Sequence, residues 1–183
     1  MTRSSLETPM MRQYLSVKSQ YPDAVVFYRM GDFYEMFLDD ATRCADFLDL
    51  TLTTRDKGKN DSVPMCGVPV HSAQHYIQKL ARSGFRVAIC EQVEDAKEVG
   101  RRLVKREVVE VITPGLVGDP EGLESSTELA LSAIEFDDVT RSWGLSTFDS
   151  STGLFKFTRA LSQESKFPRV LSEELSRISP REI

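Results

Sequence analysis

The stretch with the most chemical potential is Phe27-Tyr-Arg-Met-Gly-Asp-Phe-Tyr-Glu-Met-Phe37. With 33–37 as a strand, Phe33 and Glu35 share one face, while Tyr34 and Met36 point to the other. Phe33 also stands beside a turn, where a side chain can project past the sheet. An exposed ring next to a carboxylate is odd for a core and odd for simple phosphate binding. It suits a wedge with an acceptor: the ring stacks on a base and the carboxylate meets a base N–H. The competing reading buries Phe33 in the core and leaves Glu35 in solvent, and pattern alone favours it.

Other combinations fall short of a site. His71 and His75 are four apart, but no Glu completes His-Glu-x-x-His, so capping and packing are the better roles for both. Gly58-Lys59 is followed by Asn60, so no phosphate-binding Gly-x-x-x-x-Gly-Lys-[Ser/Thr] loop occurs. Asp149 closes Ser-Thr-Phe-Asp-Ser without the partner carboxylates that metal-dependent hydrolysis needs, which leaves it a turn residue. Cys44, Cys66 and Cys90 are odd in number and lack metal spacing; they read as buried small hydrophobes in a reducing cytosol. No catalytic and no metal-binding residue is identified.

The elements that must position Phe33 and Glu35 follow from local signals. Thr8-Pro9 opens a helix with Met10, Tyr14 and Val17 at helical spacing, stopped at Tyr21-Pro22. Two β-rich runs, 24–30 and 33–37, flank Gly31-Asp32 and predict a hairpin with a two-residue turn. Asp39-Asp40 is expected to cap a helix through about Asp49, with Ala41, Cys44, Ala45 and Leu48 on one face. Strands are expected at Leu50–Thr54, Pro64–Pro69, Phe85–Cys90 and Glu107–Thr113, with a Ser72-capped helix carrying Tyr76, Ile77, Leu80 and Ala81 and ending at Gly84. Alternating strands and helices predict an α/β layer structure with a mixed sheet. Residues 113–122 hold three Gly and two Pro and mark a domain boundary. Beyond them, 129–136, 143–148 and 154–158 predict an antiparallel meander, followed by a helix over 170–178. Three strands and a helix make a thin core, so the chain is expected to end inside its second domain.

Composition sets the frame. The chain has 183 residues, a formal charge of −5 and 40% apolar residues, which fits one ordinary domain or two small ones and excludes a disordered chain. No apolar run is long enough to span a bilayer, and the N-terminus shows no secretory signal. Residues 1–113 carry 16 basic and 16 acidic groups, so the whole negative charge belongs to the remainder. Basic groups cluster at 55–59 and 101–106, which permits phosphate contact without establishing it.

Thr8-Pro-Met-Met-Arg-Gln-Tyr14, the 27–37 stretch with its Gly-Asp-Phe-Tyr-Glu core, Pro64-Met-Cys-Gly-Val-Pro69 with His71, Val87-Ala-Ile-Cys-Glu-Gln92 and Val111-Ile-Thr-Pro-Gly115 occur in this order. Together they resemble the N-terminal part of the bacterial MutS family, the mismatch sensors of DNA mismatch repair. The likeness is dense over 8–115 and thinner afterwards. It implies a mixed β-sheet mismatch-recognition domain packed with helices at 1–113 and a linker at 114–125. At 126–183 it implies the beginning of an RNase H-like α/β connector domain.

By that resemblance, Phe33 matches the Phe of a Phe-x-Glu motif, which stacks on the mispaired base from the minor groove. Glu35 matches the Glu that hydrogen-bonds the same base. A wedge between base steps costs unstacking energy, recovered as bent DNA that meets more protein. A mispaired site unstacks and kinks more easily, so one side chain can detect many mispairs. Near phosphates, like charge raises the pKa of Glu35 and allows it to bind as a protonated donor. Arg29, Met30 and Asp32 flank the wedge as candidate backbone contacts, and Arg55, Lys57 and Lys59 are candidate phosphate contacts. Val70 stands before His71 where an aromatic is expected, so contacts near His71 should differ.

The resemblance further implies mismatched duplex DNA as ligand, a homodimer at full length and a MutL partner engaged through the connector. It implies a cytoplasmic, nucleoid-associated location with no membrane contact. No cofactor is expected for these residues; ATP and magnesium are implied for a full-length weak ATPase whose nucleotide site lies beyond residue 183. The alternative function is a protein-docking module whose hairpin is structural and packed inward.

Overall fold

The computed structural model describes residues 5–55, 62–95, 100, 102–116, 130–150, 152–161 and 169–183. The chain forms two units, Met1–Ile112 and Thr113–Ile183. In the first, Thr8 caps α1 (Pro9–Gln20), its hydroxyl accepting from the Met11 amide, and Pro9 fills the first helical position. β1 (Ala24–Met30) and β2 (Phe33–Phe37) form the expected hairpin, with Met30 paired to Phe33 across Gly31-Asp32. Gly31 takes φ +58°, the left-handed conformation that a glycine adopts without a Cβ clash.

β2 runs straight into α2 (Leu38–Leu48). Here the structure departs from the predicted cap: Phe37 holds the capping position without a side-chain bond, and Asp39 and Asp40 fall in the first turn. Asp40 is drawn inward instead. Its carboxylate is 2.9 Å from Lys18 Nζ and accepts from the Tyr14 hydroxyl and the Val26 amide. β3 is only Thr53–Arg55, shorter than the expected 50–54 run, because β4 (Val63–Pro69) pairs with nothing earlier in that segment. Ser72 precedes α3 (Ala73–Arg82) but does not cap it, since its hydroxyl donates back to the Pro69 carbonyl. β5 (Arg86–Gln92) and β6 (Arg106–Ile112) complete the unit.

The six strands run in the order β3-β4-β2-β1-β5-β6. β1 and β5 are parallel and every other pair is antiparallel, so the sheet is mixed. Alternation along the strands divides the interior in two. Val25, Phe27, Tyr34 and Met36 pack under α2 and α3. Ala24, Val26, Tyr28 and Phe37 pack under α1. The second unit is an antiparallel meander, β7 (Ala130–Asp137), β8 (Ser142–Asp149) and β9 (Leu154–Leu161), with α4 (Arg169–Ile178) on one face. Trp143, Leu145 and Leu171 form its core. The Asp149 carboxylate accepts from the Thr152 hydroxyl at 2.6 Å in the β8–β9 turn, as a turn residue does.

Candidate nucleic-acid interface

Phe33 opens β2 directly after the turn. Its cross-strand neighbours are Met30 and Pro69, it joins neither core cluster of this unit among the described residues, and it is 45% exposed. Glu35 is the more enclosed of the two: its Oε2 is buried and has no hydrogen-bond partner among the described residues. This is the reverse of the core reading of the pattern, in which the ring is buried and the carboxylate solvated. Physically, Phe33 lies at the strand end beyond the cover of α1, whereas Glu35 lies one step inward between Tyr28 and Gly67. A Cβ on Gly67 would stand 3.1 Å from the Tyr34 carbonyl oxygen and 3.4 Å from Glu35 Cγ, so glycine relieves crowding against the β2 backbone beside Glu35.

Burial pushes the Glu35 pKa above the ordinary value, against the pull of the Arg55 and Arg106 charges. This rise comes from desolvation in the protein alone, whereas the rise expected from sequence concerns phosphate charge in the DNA-bound state. A carboxyl with one buried oxygen unpartnered among the described residues, beside an exposed ring, can donate or accept one hydrogen bond to a group that reaches it, and the ring can stack on a planar partner.

The two faces of the hairpin are held differently. On the α2–α3 face, Arg29 lies over the Tyr34 ring at 5.6 Å, donates from Nε to the Gly31 carbonyl, and approaches Glu91 at 3.3 Å. The Tyr34 hydroxyl donates to the same Glu91 carboxylate; burial and that neighbour push the Tyr34 pKa up to about 12. On the α1 face, Arg106 lies 4.9 Å from the Tyr28 ring centre and donates to the Arg29 carbonyl at 2.7 Å.

Among the other sequence candidates, Arg55 comes close to the tip, its Nη1 3.8 Å from Met30 Sδ. Met30 is half-buried, and Asp32 is exposed with its carbonyl accepting from the Val70 amide at 2.9 Å. Arg29 is engaged within the hairpin by the contacts above. Lys57 and Lys59 lie outside the described residues. His71 and His75 are exposed. Glu91, Gly67 and Arg106 were not singled out from sequence as site residues; their role depends on strand order, which no local pattern carries. Among the described residues, no group of three or more His, Cys, Asp or Glu is arranged to hold a metal, and no helix is long and apolar enough to cross a membrane.

Residues 8–121 match the family model of MutS domain I, and the chain belongs to that family. Its relatives include proteins named DNA mismatch repair protein MutS. That of Desulforapulum autotrophicum is 48% identical over 177 residues, covering 97% of this chain and 19% of the relative. That of Syntrophobacter fumaroxidans is 48% identical over 176 residues, covering 96% and 19%. That of Geobacillus thermodenitrificans is 49% identical over 177 residues, covering 96% and 19%. The chain therefore spans about a fifth of the length of these curated relatives.

Proposed function

We propose that this chain recognises mismatched or unpaired bases in duplex DNA, as the first step of mismatch repair. Phe33 enters the minor groove as a wedge and stacks on the mispaired base, while Glu35 hydrogen-bonds it. The observation that carries this reading is the 45% exposed Phe33 at the hairpin tip beside a carboxylate whose Oε2 is buried and without a partner among the described residues, in a chain of the MutS domain I family. Such a pair spends unstacking energy that a mispaired site lowers. Arg55, Lys57 and Lys59 supply phosphate contacts, Met30 and Asp32 flank the wedge, and Arg29 holds the turn they border.

In this reading 1–113 is the mismatch-recognition domain, 114–125 a linker and 126–183 the start of an RNase H-like connector. A parallel bridge between Leu131 and Glu182, beside β7, supports that last assignment: an antiparallel meander gains a parallel neighbour after a helix. At full length the protein acts in the cytoplasm, on the nucleoid, as a homodimer that engages MutL through the connector. Its ATP and magnesium site and its weak ATPase activity belong to residues beyond 183.

The test is binding of the full-length protein to G·T and G·C duplexes at two salt concentrations, with and without Phe33→Ala. Loss of one base–ring stack is expected to cut the G·T preference about 10-fold or more while leaving background binding. Equal discrimination by both proteins would remove Phe33 from the site.

A further inference from the structure

Arg106 is a cation at 8% exposure, on a strand that pairs with neither arm of the hairpin, yet its guanidinium reaches β1 one residue before the turn. The β1–β5 ladder stops at Tyr28↔Cys90, one residue short of Arg29. The Arg29 carbonyl accepts from Arg106 Nε at 2.7 Å, so a side chain from β6 supplies the bond at the point where the strand pairing runs out. Nη1 of the same guanidinium donates to the Val104 carbonyl at 3.0 Å and to Gln13 Oε1 at 3.1 Å. The plane lies over Tyr28, whose own hydroxyl donates to Gln13 Oε1. Tyr28 is in turn the cross-strand partner of Glu35. Helix α1, β1 and β6 are thus tied together one residue behind the turn that carries Phe33.

We propose that Arg106 is a positioning residue for the mismatch probe: it fixes β1 just behind the turn of the β1–β2 hairpin so that Phe33 and Glu35 are presented as one rigid pair. The proposal rests on the wedge reading above and deepens it. A planar fork with several fixed donors is what this task requires. Lysine keeps the charge but cannot cap a carbonyl, reach a second acceptor and stack on a ring together. A wedge that is held rigidly transmits the stiffness of the base step to the binding energy. A wedge that can swing aside meets paired and mispaired steps alike. Arg106 also contributes positive charge near Glu35, opposing the effect of its burial. Its own burial keeps it from the phosphates, so its role separates from that of a backbone contact.

The experiment compares the full-length protein with its Arg106→Lys variant in three readouts: the ratio of G·T to G·C affinity, the salt dependence of G·C binding, and amide exchange at 31–33. The expected result is a roughly 5- to 10-fold fall in the ratio and faster exchange at the three tip amides, with an unchanged salt slope. A salt slope lower by about one would overturn the proposal, because that is the signature of a lost phosphate contact. An unchanged ratio with unchanged tip exchange would overturn it as well. If Arg106→Lys does not fold, Gln13→Met removes the acceptor shared by Arg106 and Tyr28; it is expected to lower the ratio about 2- to 3-fold, and no change overturns the proposal. If the wild-type protein shows no G·T preference, the wedge reading fails by itself. Tip exchange then still decides whether Arg106 holds the hairpin.

Discussion

Phe33 and Phe37 open and close the same five-residue strand and point to the same face, yet they lead opposite lives. Phe37 is fully buried, with Tyr14 edge-on at 5.0 Å and Tyr28 at 6.3 Å. Phe33 has no place in either core cluster. The backbone mirrors the contrast. Both ends are flanked by a left-handed residue, Gly31 at φ +58° before the strand and Leu38 at φ +56° after it. At the tip a glycine adopts that conformation freely. At the base a leucine adopts it at a cost of about 1–2 kcal/mol, two residues before Asp40, which binds Lys18, Tyr14 and the Val26 amide. The lesson is that the fate of an aromatic on a strand is decided by what stands over it. α1 covers one end and leaves the other bare.

Four substitutions separate the packed end of the strand from the bare one. The largest effect belongs to Phe37→Ala, expected to cost about 3–5 kcal/mol in denaturant unfolding, as large-to-small changes in a packed core do. A cost under about 1 kcal/mol would mean that the base is no better packed than the tip. Asp40→Ala should cost about 2 kcal/mol, less than a fully buried pair because Lys18 retains some contact with water. An unchanged midpoint would make the ion pair incidental.

Glu35→Gln should act in the other direction. Burial raises its folded-state pKa above the unfolded value of 4.5, so the folded protein holds this proton more tightly. The stability it lends is present below about pH 4.5 and is lost as the pH climbs through the raised value. Glutamine is therefore expected to stabilise by about 1 kcal/mol at pH 7–8, with the gain vanishing near pH 4; a gain equal at both pH values would refute the desolvation account. The smallest effect is that of Phe33→Ala on stability, within about 0.5 kcal/mol. A clear loss would show that the ring is packed after all.

Much of the frame was legible along the chain. The helix caps at Thr8-Pro9, the Gly31-Asp32 turn and the period-2 runs around it are local signals, and the structure returns a mixed α/β sheet in the first unit and the meander in the second. Asp39 and Asp40 show where local reading fails: two carboxylates before an apolar stripe look like caps, but Lys18 and Tyr14 on another helix draw Asp40 inside. The burial of Phe33 was misjudged from pattern for the same reason, since period 2 assigns a face and says nothing of cover. Arg106 and Glu91 were beyond reach because the residues they hold lie 77 and 62 positions away.

Those separations have a consequence for how the molecule assembles. The β1–β2 hairpin closes between neighbours in sequence and needs only microseconds. The parallel β1–β5 pairing must first close a long loop, and β6, paired to β5, meets the hairpin only once that loop has closed, so entropy delays the contact. Arg106 is therefore among the last groups to arrive. The probe exists early in folding as a loose finger and stiffens only when the far strand docks. Amide protection at residues 31–33 should accordingly appear in the slowest phase of refolding, later than that of α1.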